Sequence, residues 1–443
     1  MLAIHTQGSR RPHILIVGGG FAGLEAAKRL DAREVRVTVV DRQNHHLFQP
    51  LLYQVASATL SPADIAAPIR QVLRRQKNTE VLLGEVDAID PVHKRVRLND
   101  GRSLAYDFLI LAAGVGHAYF GHADWSSVAP GLKSLEDALE IRRRFLLAFE
   151  QAEQEADPDL RGALLTFVIV GGGATGVELA GTMKEMARLT LPREFRNIRT
   201  ERARVVLVEA GPGVLSTFGE GLSEKARGSL ERIGVEVRLG QAVTQMNSQG
   251  IRLGEEFIPA RTIVWAAGVA ASQLGASLAA PLDRMGRVIV NPDLSVPAHP
   301  EMFVVGDLAH FEHGSDRPLP GLAPVAVQQG RLAAENILAT LRGQERAPFR
   351  YRDRGTMATI GRGAAIARLG PFRFSGYLAW LAWLFVHLML LVNFRNRVFV
   401  LFEWLWAYLT TQRRARLILP SACRGIPDCH PEPLGEGPEK PGA

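Results

Sequence analysis

The apolar runs at residues 13–17 and 165–170 each lead into a glycine-rich turn and then into a stretch of helical periodicity, at 21–30 and 177–189. A second apolar run follows each helix, at 35–40 and 204–208, and closes on an acid, Asp41 or Glu209. Short uninterrupted apolar runs alternating with helices predict βαβ units on parallel sheets buried on both faces. Further strand-like runs at 106–112 and 263–266 end in Ala113-Gly114 and Ala267-Gly268, so the repeat covers whole domains and not the turns alone. The amphipathic stretch 134–157 predicts a long helix leading into the second unit. Ser61-Pro62-Ala63-Asp64 is another helix start.

After Pro281 the pattern returns to the first unit. Residues 302–307 read as a strand ending in Gly306-Asp307, and 328–341 as a helix. The expected fold class is α/β, with two Rossmann-like dinucleotide-binding domains, the second inserted in the first, and a C-terminal membrane-docking helical segment. The expected boundaries are 10–120 with 284–345 for the first domain, 121–283 for the second, 346–417 for the C-terminal region, and 418–443 for a disordered tail rich in Pro and Gly.

The C-terminal region has its own pattern. Residues 377–394 are almost wholly apolar. As a helix they would reach about 27 Å at about 1.5 Å per residue, a little short of a bilayer core of about 30 Å. His387 interrupts the run, and Asn393, Arg395 and Arg397 end it. Residues 399–409 carry Trp404, Trp406 and Tyr408, followed by Arg413, Arg414 and Arg416. Aromatic rings beside arginines suit the headgroup zone of an anionic leaflet, so two interfacial helices are expected, ahead of one spanning helix or a buried dimer helix. Such an exposed apolar surface also suits a homodimer.

Composition narrows the partners. The formal charge is +7 and the pI about 9.7, which nucleic acid, anionic lipid or anionic cofactors would each explain. No Lys/Arg block is interleaved with aromatics, so nucleic acid is not expected. The only two cysteines, Cys423 and Cys429, lie in the tail, which excludes a disulfide framework and suits a reducing compartment. No signal peptide is expected: Ser9-Arg10-Arg11 faintly resembles a twin-arginine signal, but the run that follows passes straight into the glycine loop. His45 and His46 are adjacent and lack a Cys or carboxylate cluster, and Cys423, Cys429 and His430 sit in the tail, so no metal site is expected.

The glycine loops are Gly18-Gly19-Gly20-Phe21-Ala22-Gly23 and Gly171-Gly172-Gly173-Ala174-Thr175-Gly176. Their first glycine permits the turn, the second lets backbone approach a pyrophosphate, and the third lets helix and strand pack closely. The phosphates then face unpaired N–H groups at a helix N-terminus. Asp41, followed by Arg42, and Glu209 stand where ribose hydroxyls bind. A carboxylate at Glu209 repels a 2′-phosphate and favours NADH over NADPH; Arg202 and Arg204, nearby in sequence, keep that preference moderate. Asp307 at a strand end suits a flavin's ribityl hydroxyls. Two dinucleotides side by side suggest hydride transfer from one to the other.

With these motifs placed, the chain resembles the two-dinucleotide-binding-domain flavoproteins and, within them, the type II NADH dehydrogenases, single-subunit non-pumping NADH:quinone oxidoreductases. The likeness runs from about His13 to Leu417. Its specific stretches are the run from Asn44 to Gln54 (Asn-His-His-Leu-Phe-Gln-Pro-Leu-Leu-Tyr-Gln), Gly171 to Gly181, Trp265-Ala266-Ala267-Gly268-Val269, Val305-Gly306-Asp307, and Ala323 to Gly330. The resemblance implies FAD in the first domain, held by Gly18, Gly20, Gly23 and Asp41, with Val86 at the adenine and Asp307 and Ala323 at the ribityl and ring end. It implies NADH in the second, held by Gly171, Gly173, Gly176 and Glu209, with Gly268 on the adjoining turn. Glu178 matches a glutamate beside flavin and nicotinamide, and Gln328 and Gln329 match a motif at the quinone end. Ala174 departs from the Pro or Phe of many relatives. A Glu one turn into a helix also simply complements the dipole, so both readings of Glu178 stand at this stage.

The resemblance further implies ubiquinone or menaquinone as acceptor, entry of electrons into a respiratory chain, and peripheral placement on the cytoplasmic face of a bacterial inner membrane. Sulfide:quinone oxidoreductases and disulfide reductases need paired redox cysteines, which are absent outside the tail. Soluble ferredoxin reductases would not need the aromatic C-terminus. An NADH-bound redox sensor is the non-enzymatic alternative.

Overall fold

The computed structural model describes residues 11–30, 34–312, 318–392, 394–410, 412–413 and 415–418. Asn393, Arg414, Cys423, Cys429, His430 and nearly all of the expected tail lie outside the described residues.

Six strands form the first sheet, in the order Ser295–Val296, His299–Val304, Phe108–Leu111, His13–Val17, Arg36–Asp41, Thr79–Leu83. All neighbours are parallel except the edge pair Ser295–Val296 with His299–Val304. Because strand side chains alternate between faces, Ile14, Ile16, Val37 and Val39 pack under the helices Phe21–Arg29 and Ala323–Leu341. Leu15, Val17 and Val40 pack on the opposite side against Val86, Ile89, Val96 and Leu98 of a three-stranded antiparallel meander. The two helices touch closely at Gly330, where a Cβ would overlap the Ala22 carbonyl.

The second sheet repeats this plan. Its order is Val235–Leu239, Arg204–Glu209, Thr166–Val170, Thr262–Trp265, all parallel. Phe167, Ile169, Val205 and Leu207 face the helices Leu135–Gln154 and Ala174–Glu185. Val168, Val170, Val206 and Val208 face a second antiparallel meander, Val243–Asn247, Gly250–Leu253, Glu256–Pro259. The repeat therefore includes the meanders as well as the βαβ units. An antiparallel ribbon of Val115–His117 and Val269–Ala271 joins the chain's entry into the second unit to its exit, and His299–Val304 re-enters the first sheet beside Phe108–Leu111. This is the inserted α/β arrangement expected from the sequence.

Local details differ from the sequence reading. Ser61 starts only one helical turn, Pro62–Ile65, closed by a capping box with Asp64. The helix Ala174–Glu185 runs on through a π-helical turn, Met186–Thr190, and a 3-10 turn at Pro192, which together absorb the extra residues of the second unit. The C-terminal region holds an antiparallel meander that was not expected: Thr356–Gly361, Ala364–Leu369, Phe372–Gly376. It presses on Ala174–Glu185, where a Cβ on Gly181 would overlap the Ile360 carbonyl.

The helices Tyr377–Leu390 and Phe394–Thr410 follow. The first has 14 residues, about 21 Å. No helix among the described residues is long and apolar enough to cross a membrane.

Candidate functional site

The two glycine loops match atom for atom. Gly18 N–H donates to the Val40 carbonyl at 2.8 Å and Gly171 N–H to the Val208 carbonyl at 2.7 Å. Both first glycines have positive φ, +106° and +116°, and a Cβ on either would strike the backbone at Ala112 or at Ala266 and Ala267. The third glycines, Gly23 and Gly176, lie against the Gly18 and Gly171 carbonyls. Asp41 accepts from Gly19 N–H (2.5 Å) and Gln43 N–H (2.7 Å). Glu209 accepts from Gly172 N–H (2.6 Å) and Gly211 N–H (2.7 Å). Each acid is thus fixed over its loop at the carboxyl end of its sheet, where an open α/β fold binds dinucleotides.

One sequence inference is corrected here. Arg204 opens the strand that Glu209 closes, about 16 Å away at strand rise, and its guanidinium is held by Glu236 at 2.9 Å. It therefore cannot neutralise a 2′-phosphate at Glu209, and the preference for NADH is less moderated than sequence proximity implied.

The first loop's surroundings fit a flavin dinucleotide. Arg42, beside Asp41, reaches Glu85 at 4.0 Å, next to buried Val86. Phe21 sits edge-on to His46 and Phe48, with ring centroids 4.9 and 5.9 Å away. His46 Nδ1 lies 3.2 Å from the Gly19 carbonyl, and burial pushes its pKa down to about 4. It is therefore a neutral packing group at ordinary pH. Among the described residues no three His, Cys, Asp or Glu side chains cluster as a metal site.

Asp307 carries the fit further. Its half-buried carboxylate, pushed up by burial, has no hydrogen-bond donor among the described residues. Gly321 leaves room beside it: a Cβ there would press on the Asp307 carboxyl. Lys133, absent from the sequence reading, brings an ammonium toward this carboxylate, itself pushed down by desolvation. An unpaired acceptor facing a glycine gap suits a polyhydroxylated ligand chain. Ala323 begins the helix next to this turn.

Gln328 and Gln329 part ways, as successive helical residues must. Gln329 is buried, and its Oε1 accepts from Gly306 N–H at 2.7 Å, bracing the Asp307 turn. Gln328 turns away and exchanges two 3.0 Å hydrogen bonds with the Arg352 backbone. In the second unit, Gly268 has φ +80° and lies under the exposed ring of Phe120.

Glu178 lies on Ala174–Glu185, buried where the two units and the C-terminal meander meet. Its Oε1 accepts from Thr359 N–H at 3.2 Å. Burial is the larger influence and raises its pKa to about 8, so the carboxyl is mostly protonated at neutral pH. Thr359 had no signal in the sequence, because the meander that carries it was not anticipated. Facing Glu178 is the short helix Leu52–Ala56, with Tyr53 and Gln54 both buried. Gln54 Nε2 donates to the Tyr53 hydroxyl at 2.9 Å, and Trp404 Nε1 donates to Gln54 Oε1 at 2.8 Å.

The C-terminal helices carry an aromatic track outward. His387 stacks on Trp383 at 4.2 Å and meets Phe48 edge-on at 6.4 Å. The Trp383 indole N–H is buried without an acceptor. On the outer side Leu378 (72% exposed), Phe385 (65%), Phe402 (63%) and Leu409 (70%) form an apolar face. Asn396 pins the second helix to the body through the Ala63 and Asp64 carbonyls at 3.1 and 3.0 Å. Two of the arginines expected among lipid headgroups are instead engaged with the protein. Arg413 bonds the Thr59 hydroxyl (2.9 Å), the Thr182 carbonyl and Glu185 (3.3 Å each), and Arg416 pairs with Glu194.

Comparisons with known proteins agree with this geometry. Residues 12–330 match the family described as "Pyridine nucleotide-disulphide oxidoreductase", and residues 354–413 match "NDH2 C-terminal domain". The type II NADH:quinone oxidoreductase Ndh of Mycobacterium tuberculosis is 46% identical, over 92% of this chain and 90% of that protein. The type II NADH:quinone oxidoreductase NdhA of the same organism is 47% identical, over 89% and 86%. The fold is shared with NDH2 of Plasmodium falciparum, solved in complex with NADH, at TM-score 0.84 and 18% identity over 92% of this chain and 100% of that one. The sulfide:quinone oxidoreductase of Aquifex aeolicus shares it more loosely, at TM-score 0.67 and 19% identity over 93% of each chain. The resemblance read from the motifs is borne out: the chain belongs to the type II NADH:quinone oxidoreductases within the pyridine nucleotide-disulphide oxidoreductase family.

Proposed function

We propose that the protein holds FAD on the Gly18–Gly23 side and NADH on the Gly171–Gly176 side, and passes electrons from NADH to ubiquinone or menaquinone without pumping protons. The observation that carries this reading is the atomic match of the two loops, each with its acid fixed by the same pair of backbone donors. FAD, when bound, supplies the two-electron centre between nicotinamide and quinone.

The chain's residues bind, orient and handle protons. Gly19 and Asp41 hold one ribose and pyrophosphate, Gly172 and Glu209 the other, and the helix N-termini at Gly20 and Gly173 offer backbone N–H groups to phosphate. Gln329 fixes the Gly306-Asp307 turn so that Asp307 accepts hydroxyl hydrogen bonds. Glu178, protonated at neutral pH, supplies one of the two protons that quinone reduction consumes. The exposed face of Tyr377–Leu390 and Phe394–Thr410 rests on lipid at the cytoplasmic side of a bacterial inner membrane. Its aromatic track from Trp383 and His387 to Phe48 offers a lipid-soluble quinone a route inward, with the orphan Trp383 indole N–H as a donor along it. The domain ranges 10–120 with 284–345, 121–283 and 346–417 serve as the FAD-binding, NADH-binding and membrane-associating parts. A homodimer formed through the same apolar face is the expected state without lipid.

Anaerobic titration of the purified yellow protein with NADH should bleach the flavin absorbance. A quinone analogue should restore it within the turnover time. A colourless folded protein would remove FAD from the reading. A reduced enzyme that persists in the presence of quinone would favour the NADH-bound sensor instead.

A further inference from the structure

The strand Thr262–Trp265 runs into the turn Ala266-Ala267-Gly268, which presses on the second glycine loop. A Cβ on Gly171 would lie 2.6 Å from the Ala266 carbonyl carbon and 2.7 Å from the Ala267 nitrogen. Glu209 is fixed on the other side of that loop, at the end of Arg204–Glu209. Thr166–Val170 lies between these two strands in the sheet. A dinucleotide with its pyrophosphate on the loop and its adenosine ribose at Glu209 therefore extends its nicotinamide half toward the Ala266–Gly268 turn. Phe120 covers that turn. A Cβ on Gly268 would overlap the Phe120 ring. The pairing of His117 with Val269 brings the two segments side by side.

The backbone at Phe120 is strained. Its φ is +49°, and Gly121 follows with φ +93°. For a bulky side chain this conformation is an outlier, kept only where the surroundings over-determine it. They do so here. The Ala118 carbonyl accepts from the Trp265 indole N–H at 2.8 Å. The Tyr119 ring stacks on Trp265 at 5.3 Å, and its hydroxyl donates to the Ala129 carbonyl at 2.8 Å. The Tyr119 carbonyl accepts from His122 N–H at 3.0 Å. Trp265 is buried, yet the Phe120 ring beside it is 69% exposed. A single exposed ring is ordinary on a protein surface. A ring held out by a left-handed residue between anchored neighbours, over a glycine beside a nucleotide loop, is not.

We propose that the Phe120 ring is the apolar wall against which the nicotinamide end of NADH packs, which makes Phe120 a substrate-positioning residue. The inference rests on the reading that NADH binds on the Gly171–Gly176 side. The nicotinamide ring is flat, and an aromatic ring in contact with it restricts its tilt and keeps water from it. Hydride transfer is sensitive to such restriction, because the reacting atoms must be held in line. Gly268 is needed by the same arrangement, since with the ring above it any side chain there would displace Phe120. The adenosine half is remote from this wall. Arg204–Glu209 lies two strand spacings from Thr262–Trp265, about 10 Å. Phe120 therefore acts on one half of the substrate only.

The test probes the two halves of the substrate separately on the holoenzyme. Reduced nicotinamide mononucleotide reports on one half, through the second-order rate constant of flavin reduction in anaerobic stopped flow. ADP-ribose reports on the other, through its Kd measured by calorimetry. Phe120→Ala should lower the rate constant with the mononucleotide by about tenfold and leave the Kd of ADP-ribose unchanged. Phe120→Tyr, which keeps the ring, should retain the wild-type rate constant. Phe120→Gly, which also relieves the positive φ, gives the same reading if Phe120→Ala folds poorly. An unchanged rate constant in Phe120→Ala, or equal weakening of both probes, would overturn the proposal. Glu209→Gln separates the two layers, since it should weaken ADP-ribose and spare the mononucleotide. If ADP-ribose binding is untouched by Glu209→Gln, the placement of NADH on the second loop falls and the proposal falls with it. If Glu209→Gln weakens ADP-ribose while Phe120→Ala leaves the mononucleotide rate as it was, the role of Phe120 alone is lost.

Discussion

Asp41 and Glu209 do the same work at two places, and their geometry sets what can be expected of a substitution. Glu209 is fixed by Gly172 and Gly211, so its charge sits over the second loop whether or not a ligand is present. Glu209→Gln keeps the shape and removes the repulsion of a 2′-phosphate. The ratio of kcat/KM for NADPH to that for NADH should rise by roughly tenfold, about 1.4 kcal/mol. A larger gain is not expected, because Arg204 is occupied by Glu236 at the far end of the strand. Steady-state kinetics with both nucleotides measure the ratio, and an unchanged value would take Glu209 out of the ribose site. These residues were legible because their signal is local: glycine spacing, a strand before, a helix after, an acid at the end of the next strand. Arg204 was misread for a related reason, since five positions along a strand separate its ends widely.

At the scale of elements, legibility depended on whether an element's partner was near in sequence. Most sheet strands announced themselves by apolar runs, and Leu135–Gln154 by its amphipathic pattern, whereas the edge strands Thr79–Leu83 and Val235–Leu239, interrupted by Glu80 and by Glu236 and Arg238, did not. The meander 356–376 did not. Its strands are as long as those of the sheets but rich in Ala and Gly, and what holds it is the helix Ala174–Glu185, far back in the chain. The Trp404–Gln54 bond spans 350 positions and leaves no local trace. The helix Tyr377–Leu390 was visible as apolar, yet its inner face was not. His387 is largely enclosed, with its Nδ1 2.8 Å from the Trp383 carbonyl and its ring on the Trp383 indole, and burial pushes its pKa down to about 4. A histidine whose folded pKa lies below its ordinary value of about 6.5 binds fewer protons folded than unfolded between those limits. Its contribution to stability is complete above about pH 6.5 and is lost as pH falls toward 4. Acidification through that window should loosen the helix Tyr377–Leu390, seen as a change in tryptophan fluorescence. His387→Phe, which keeps a ring against Trp383, should reduce the acid sensitivity. An identical acid transition in that variant would show that His387 does not anchor the helix.

At the scale of the molecule, the C-terminal region is tied to both nucleotide-binding units and is more than an attached anchor. Asn396 fastens it to the first unit at Ala63 and Asp64, and Trp404 to Gln54. Arg413 fastens it to the second through Glu185 and Thr182, while also reaching Thr59 of the first. Both partners of the Arg413–Glu185 pair are largely buried, with side chains 11% exposed. A buried pair is costly to break from one side, because the remaining charge is stranded, and much less costly to remove whole. Arg413→Met alone should therefore lower stability by about 3 kcal/mol, and Glu185→Met alone by a similar amount. The double variant should lose clearly less than the sum, the mark of two residues acting as one unit. Thermal or denaturant unfolding of the four proteins measures the coupling. If the losses simply added, Arg413 and Glu185 would not act as a unit, and the C-terminal region would be held by its apolar packing and by the Asn396 and Trp404 hydrogen bonds. A coupling of the expected size would mean that the helix carrying Glu178 and the segment that follows Phe394–Thr410 cannot move apart without stranding a charge, so the C-terminal region and the second nucleotide-binding unit behave as one mechanical body.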